Sequence, residues 1–150
     1  KQAEMNMITN PVTNLMLQGR YDGYPKRRGL TRVKELLNAG VNVAYGQDCI
    51  KDTFYPFGKA DMLEVGLILA HAAHMSLPHE IEEVFNMPLE RSARILRLTD
   101  YGIEEGKRAD IVILDADNPK DALRLQSTRL YVIKEGTIVA KSVRDTRFLI

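Results

Sequence analysis

The chain has 150 residues, 45% of them hydrophobic and 27% charged, with a formal net charge of +1. That balance is typical of globular proteins rather than disordered ones, and near-neutrality argues against a dedicated nucleic-acid surface. The longest apolar stretches, 65–70 and 111–114, are too short to span a bilayer. A single cysteine, Cys49, excludes an internal disulfide and suits a reducing compartment. No basic segment followed by an apolar one opens the sequence, so a cytoplasmic protein with no membrane partner is expected. Lys1 stands where an initiator would, and strand-like residues begin at Met5, Met7 and Ile8, so the chain reads as a segment of something longer.

In chain order, Met5 to Thr9 reads as a short buried strand ended by Asn10-Pro11, because proline cannot continue a central ladder. Asn14 to Lys26, with Gly19, Gly23 and Pro25 and little periodicity, reads as a long loop. The basic cluster Lys26-Arg27-Arg28 is short enough to be a solvated face or a phosphate contact. Thr31 is placed to cap a helix through Asn38, with Val33, Leu36 and Leu37 on one stripe, and Ala39-Gly40 ends it as a glycine after a helix does. Val41 to Tyr45 is the next strand and runs into Gly46-Gln47-Asp48-Cys49. A second long loop, Ile50 to Lys59, holds Phe54, Tyr55, Pro56, Phe57 and Gly58. Helix is predicted from about Asp61 to Met75, then over Pro78 to Phe85 and Leu89 to Leu98, the last suited to a compact turn over a barrel's end. From Tyr101 the text becomes glycine-punctuated strands: Asp110 to Leu114, Arg129 to Ile133 and Thr137 to Val143. Lys134-Glu135-Gly136 forms the tight hairpin between the last two.

Strand, long loop, helix, repeated twice, is the grammar of βα units and of an α/β fold. Two units cannot close a barrel, which takes roughly 200 residues or more. In such barrels the active site lies in the loops at the C-terminal strand ends. Asp48 falls there, just past the second strand and behind a glycine. A carboxylate so placed can coordinate a divalent cation and handle the proton of a bound water, whose pKa a metal lowers from about 15.7 towards about 7. Aspartate also caps turns, and that alternative stays open on spacing alone.

The runs Asn10-Pro11-Val12-Thr13-Asn14, Leu17-Gln18-Gly19-Arg20 and Tyr24-Pro25-Lys26-Arg27-Arg28-Gly29 resemble bacterial cytosine deaminases. So do Thr31-Arg32-Val33-Lys34, Gly40-Val41-Asn42-Val43, Gly46-x-Asp48, Tyr55-Pro56-x-Gly58 and Ser92-Ala93-Arg94. The segment 102–115, GIEEGKRADIVILD, is similar to a C-terminal signature of the wider amidohydrolase superfamily. The resemblance implies strands seven and eight of a distorted TIM barrel over residues 1–100, followed by strands of a small β-sandwich over 101–150. It implies that Asp48 is a metal ligand and proton shuttle in hydrolytic deamination, with one divalent ion, iron or zinc, whose histidine ligands lie in segments outside this chain. The chain alone should then be inactive, completed by the upstream part of the barrel. A nucleobase substrate and a homo-oligomer are expected.

Two neighbours depart from the family pattern, which carries His-Asp-Asp where this sequence has Gln47-Asp48-Cys49. A thiol is smaller and, with a pKa of about 8.5, neutral at pH 7, so the pocket should have more apolar room at that edge of the ring, as for 5-methylcytosine or another cyclic amidine. The bland alternative makes Cys49 a small buried hydrophobe. Phe54 stands where the family commonly has a tryptophan lining the substrate, and its ring suits stacking on a pyrimidine; otherwise it packs in the loop with Tyr55 and Phe57. Asn10 can reach the pocket mouth. His71 and His74 share a helical face but lie late in an outer helix without a third ligand, and His79 reads as a surface residue. The competing readings are a hydrolase of another cyclic amidine or amide, and a metal-free barrel relative with a binding role.

Overall fold

The structure, a computed structural model, describes residues 5–26 and 29–147. Arg27 and Arg28 of the basic cluster lie outside the described residues. Strand β1 (Asn6–Thr9) and strand β2 (Asn42–Tyr45) pair in parallel, Ile8 opposite Ala44 and Thr9 opposite Tyr45. The ladder extends one step further, where Gly46 N–H donates to Thr9 O at 2.9 Å. The fold is α/β, and among the described residues two parallel strands stand without closing a barrel.

Between the strands lie two helices. Helix α1 (Pro11–Leu17) occupies part of what reads as loop in the sequence. Pro11 sits in its first turn, where the missing N–H has no intrahelical partner to lose, and Pro11, Val12 and Thr13 are buried. Helix α2 (Val33–Asn38) begins later than expected: Arg32 is the cap residue, and no side chain caps the turn. Thr31 instead uses its carbonyl, accepting from Val33 N–H at 2.9 Å. At the other end the glycine reading holds. Gly40 has φ 76°, Val41 N–H donates to Leu36 O at 3.0 Å and Gly40 N–H to Leu37 O at 2.8 Å, the paired bonds of a Schellman ending.

Helix α3 (Met62–Ala72) starts at Asp61, whose carboxylate accepts from Leu63 and Glu64 N–H and also pairs with Arg129. Tyr45 reaches up from β2 and donates to Met62 O at 3.1 Å; burial holds its phenol far above the ordinary range. Gly66 is required there, because a Cβ would come 2.5 Å from the Tyr45 hydroxyl oxygen. The two expected helices after α3 form one continuous run instead. Helix α4 (Pro78–Asn86) passes through a π-helical turn (Met87–Arg91) into α5 (Ser92–Ile95). Pro88 has no N–H to continue the α ladder, and widening by one residue absorbs the loss. Ser92 Oγ donates to Met87 O at 3.1 Å. Arg91 at the end of this turn reaches Asn42, at the start of β2, which sets the run toward the N-terminal ends of the strands.

Residues beyond 101 are not strands alone. Strand β3 (Ile111–Leu114) is followed by helix α6 (Pro119–Leu125), opened by Asn118 accepting from Asp121 N–H at 2.9 Å. Strands β4 (Arg129–Lys134) and β5 (Thr137–Lys141) complete an antiparallel sheet ordered β3-β4-β5. Glu135 and Gly136 both have positive φ, 49° and 77°, as a two-residue type I′ hairpin needs. Ala122 and Leu123 of α6 join Val12, Val33, Val43, Tyr45, Leu63, Val65, Leu69, Val84 and Met87 in one apolar core. No helix among the described residues is long and apolar enough to cross a membrane.

Candidate active site at the strand ends

Both parallel strands finish at the same level, so Asn10 and Gly46 leave the sheet side by side. Asn10 Oδ1 lies 2.9 Å from where a Cβ on Gly46 would be. Only glycine lets the carboxamide lie across the second strand's end, and this brings Asn10 next to the segment bearing Asp48 and Cys49. Asp48 is exposed at this rim and has φ 61°. A left-handed conformation costs an L-residue roughly 1–2 kcal/mol, aspartate among the more tolerant, so its surroundings must hold it.

They do so through the backbone. Thr13 Oγ1 donates to Gln47 O at 3.3 Å and accepts from Cys49 N–H at 3.4 Å. Gln47 is buried, and its Nε2 donates to Cys49 O at 3.2 Å. A Cβ on Gly58 would collide with Ile50 O and lie 2.8 Å from Cys49 O, so the far end of the loop folds back onto this turn. Thr13 did not stand out in the sequence; its role arises from a pairing across 34 residues, which no local spacing reveals.

Cys49 is half-buried. Burial is the largest cause pushing its thiol pKa up, and the Asp52 carboxylate, accepting from it, pushes the same way. The group is therefore a neutral thiol at pH 7 rather than a thiolate, and a poor nucleophile. Asp52 also accepts from Phe54 N–H at 2.9 Å and Tyr55 N–H at 3.0 Å, and the Tyr55 amide is the main reason its carboxyl stays below the ordinary range. Tyr55 is buried and meets Phe57 edge to face at 5.9 Å. Phe54 is turned outward, 59% exposed, so it is not part of that packing pair.

The histidines lie elsewhere. His71 Nδ1 is 2.8 Å from Leu67 O, one turn back on α3, and His74 follows the helix with φ 53°. Both line a cleft with Met75, Ile81 and Leu123, and Met75 also borders Arg91, which bonds the start of β2. They sit toward the opposite end of the strands from Asp48. His79 is exposed, as expected.

Asn10, Asp48 and Cys49 follow the C-terminal ends of parallel strands, the position at which α/β folds carry their sites. The chain belongs to the amidohydrolase family, whose model matches residues 1–143. It is similar to a solved structure of 5-methylcytosine deaminase from Klebsiella pneumoniae liganded with 5-fluorocytosine: 39% identity, a TM-score of 0.89, and coverage of 96% of this chain and 35% of that one. It is 33% identical to a pterin deaminase of Rhizobium rhizogenes over 99% of this chain and 34% of the relative. It is 37% identical to an N-isopropylammelide isopropyl amidohydrolase of Pseudomonas sp. (strain ADP) over 73% of this chain and 27% of the relative. The chain thus spans about a third, or less, of the length of these relatives.

Amidohydrolase superfamily members are generally metal-dependent. A catalytic divalent ion takes roughly three protein ligands, and among the described residues no group of three or more His, Cys, Asp or Glu could hold one. Asp48 offers a single carboxylate. By themselves these residues do not make a metal site.

Proposed function

We propose that this chain supplies the last two strands of a distorted (β/α)8 barrel, over 1–100, and strands of a small β-sandwich, over 101–150, of an enzyme that hydrolytically deaminates cytosine or a 5-substituted cytosine. The observation that carries the reading is the Asn10, Asp48 and Cys49 cluster at the matched ends of β1 and β2. Residues 101–150 are not separate from the barrel part in this reading, since α6 packs into its core. The protein works in the cytoplasm and, as a homo-oligomer, on a free base.

Deamination of an amidine adds water to the ring carbon and releases ammonia. In this reading Asp48 takes a proton from the attacking water and delivers it to the departing amine, as a general base and then acid. Asp48 would be one ligand of an iron or zinc ion completed from segments outside these residues, and such an ion would lower the pKa of water towards about 7. Asn10, across Gly46 from this turn, hydrogen-bonds a polar ring edge. Phe54, projecting from the loop that Asp52 ties down, offers a stacking face.

Cys49 sets which pyrimidine fits. Its neutral thiol, hydrogen-bonded to the Asp52 carboxylate, is smaller than the aspartate of the family pattern, and the room it leaves accepts a 5-methyl group. The relatives support a second reading: pterin and N-isopropylammelide deamination or dealkylation also break exocyclic C–N bonds on nitrogen heterocycles, so a larger cyclic amidine remains in the field. A panel of cytosine, 5-methylcytosine, pterin and N-isopropylammelide, assayed with the intact enzyme and with Cys49→Asp, separates the two. The expected result is turnover of the pyrimidines, with preference moving from 5-methylcytosine towards cytosine in the variant. Turnover of only the larger rings counts against the pyrimidine assignment, and an unchanged preference counts against the role given to Cys49.

A further inference from the structure

We propose that Thr13 is a positioning residue for Asp48: its hydroxyl grips both peptide units flanking the aspartate and so fixes the direction in which the carboxylate leaves the strand end. The proposal rests on the reading of Asp48 as the reacting carboxylate. The direction of a Cα–Cβ bond, relative to a fixed scaffold, follows from the two peptide planes on either side of it. The plane before Asp48 carries Gln47 O, and the plane after it carries Cys49 N–H. Thr13 Oγ1 donates to the first at 3.3 Å and accepts from the second at 3.4 Å. One oxygen atom therefore restrains φ and ψ of a residue held at φ 61°, a conformation that a free loop would leave.

Thr13 can do this because it is itself immobilised. It is 4% exposed, in the first turn of the helix that Pro11 starts directly after β1. The hydroxyl is thus a strut from the end of one strand to the turn after the other. It also ties Asp48 to Asn10, which stands three residues before Thr13 and against Gly46. Replacing the hydroxyl by a methyl group of similar size leaves Gln47 O and Cys49 N–H without this partner while the helix keeps its packing. The carboxylate is then free to swing, and a misplacement of about 1 Å in a reacting group can cost up to a hundredfold in rate.

The test compares Thr13→Val, Thr13→Ser and Asp48→Asn in the intact enzyme, by ammonia release from cytosine and 5-methylcytosine and by thermal unfolding. Thr13→Val should lower kcat roughly tenfold with KM within about twofold, since a displaced proton carrier affects the chemical step and not ground-state binding. Thr13→Ser, which restores the hydroxyl, should return kcat to within about threefold of the parent. Unchanged kcat in a folded Thr13→Val enzyme overturns the proposal, as does a Thr13→Ser enzyme equally impaired, which would assign the effect to shape. If Thr13→Val does not fold, Thr13→Ala takes its place with the same criteria. Asp48→Asn separates the layers: if it keeps full activity, or the parent turns over neither base, the reading of Asp48 fails and the strut loses its purpose; if Asp48→Asn is inactive while the Thr13 variants match the parent, only the present proposal fails.

Discussion

The parallel pair β1–β2 and the antiparallel sheet β3–β4–β5 are built from similar residues and held very differently. Val43, Ala44 and Tyr45 of β2 are all buried, and helices α1, α3 and α4 contribute to the core beneath them. Every residue of β5 is exposed, with Ile138 and Val139 open to solvent and β4 only half-buried. The turn that follows β2 inherits the rigidity below it: Asp48 adopts an unfavourable backbone conformation, and Thr13, Gln47 and Gly58 surround it with fixed partners. The hairpin joining β4 to β5 also uses left-handed residues, Glu135 and Gly136, and it too is held from a distance: Glu135 N–H donates to Asp110 Oδ1 at 2.8 Å and Gly136 N–H to Ala109 O at 3.0 Å. The two turns therefore differ in the strands beneath them, buried at β2 and exposed at β5, and not in the reach of their bonds.

That contrast can be tested by substitution. Leu69 is 2% exposed and central to the core beneath the first pair, so Leu69→Ala should cost about 2–5 kcal/mol in denaturant unfolding of the intact protein, the range for truncation of a buried leucine. An effect below about 1 kcal/mol would mean the core is looser than its packing. A smaller effect is expected at Glu80, on the first turn of α4. Lys34 is the main cause that draws its carboxyl down to about 2 from the usual 4.5, with Leu77 and Ser76 N–H groups adding to it. A depressed carboxyl stabilises above its unfolded pKa and loses that contribution as pH falls through the folded one. Thermal stability should therefore decline between about pH 4.5 and 2, and Glu80→Gln should flatten part of that decline. The rest belongs to carboxyls such as Asp110 and Asp121, whose pKa values are also lowered. The smallest effect is expected on β5, where Val139→Thr should change unfolding free energy by less than about 0.5 kcal/mol. A large loss there would mean that this face is covered in the intact protein.

Much of the parallel pair was legible in the sequence. Alternation gave β2, Ala39-Gly40 the helix ending, and Asp61 and Lys134-Glu135-Gly136 the start of α3 and the hairpin; β1 was legible as a strand, but it is not buried as expected, Thr9 alone of its residues being enclosed. Two helices were not legible, and they share a cause. Asn10-Pro11 reads as a strand terminator and Asn118-Pro119 falls between two expected strands, yet both pairs open helices, α1 and α6, with proline in the first turn. The signal was present: proline favours the first helical position for the same reason it ends a ladder. Thr31 failed as a cap because its carbonyl, not its hydroxyl, took up the Val33 amide. At the candidate site, Asp48, Cys49, Asn10 and Phe54 can be picked out from chain position and resemblance. What holds them cannot, because Thr13 and Gly58 act across folded distances.

The central claim is that Asp48 carries the proton transfers of a deaminase. Its most direct test is steady-state ammonia release from 5-methylcytosine and cytosine by the intact enzyme and by Asp48→Asn, with thermal unfolding measured alongside. The account predicts a fall in kcat of roughly a hundred- to ten-thousandfold, with little change in melting temperature, since the side chain is exposed. A folded variant that retains kcat within about tenfold of the parent would contradict it.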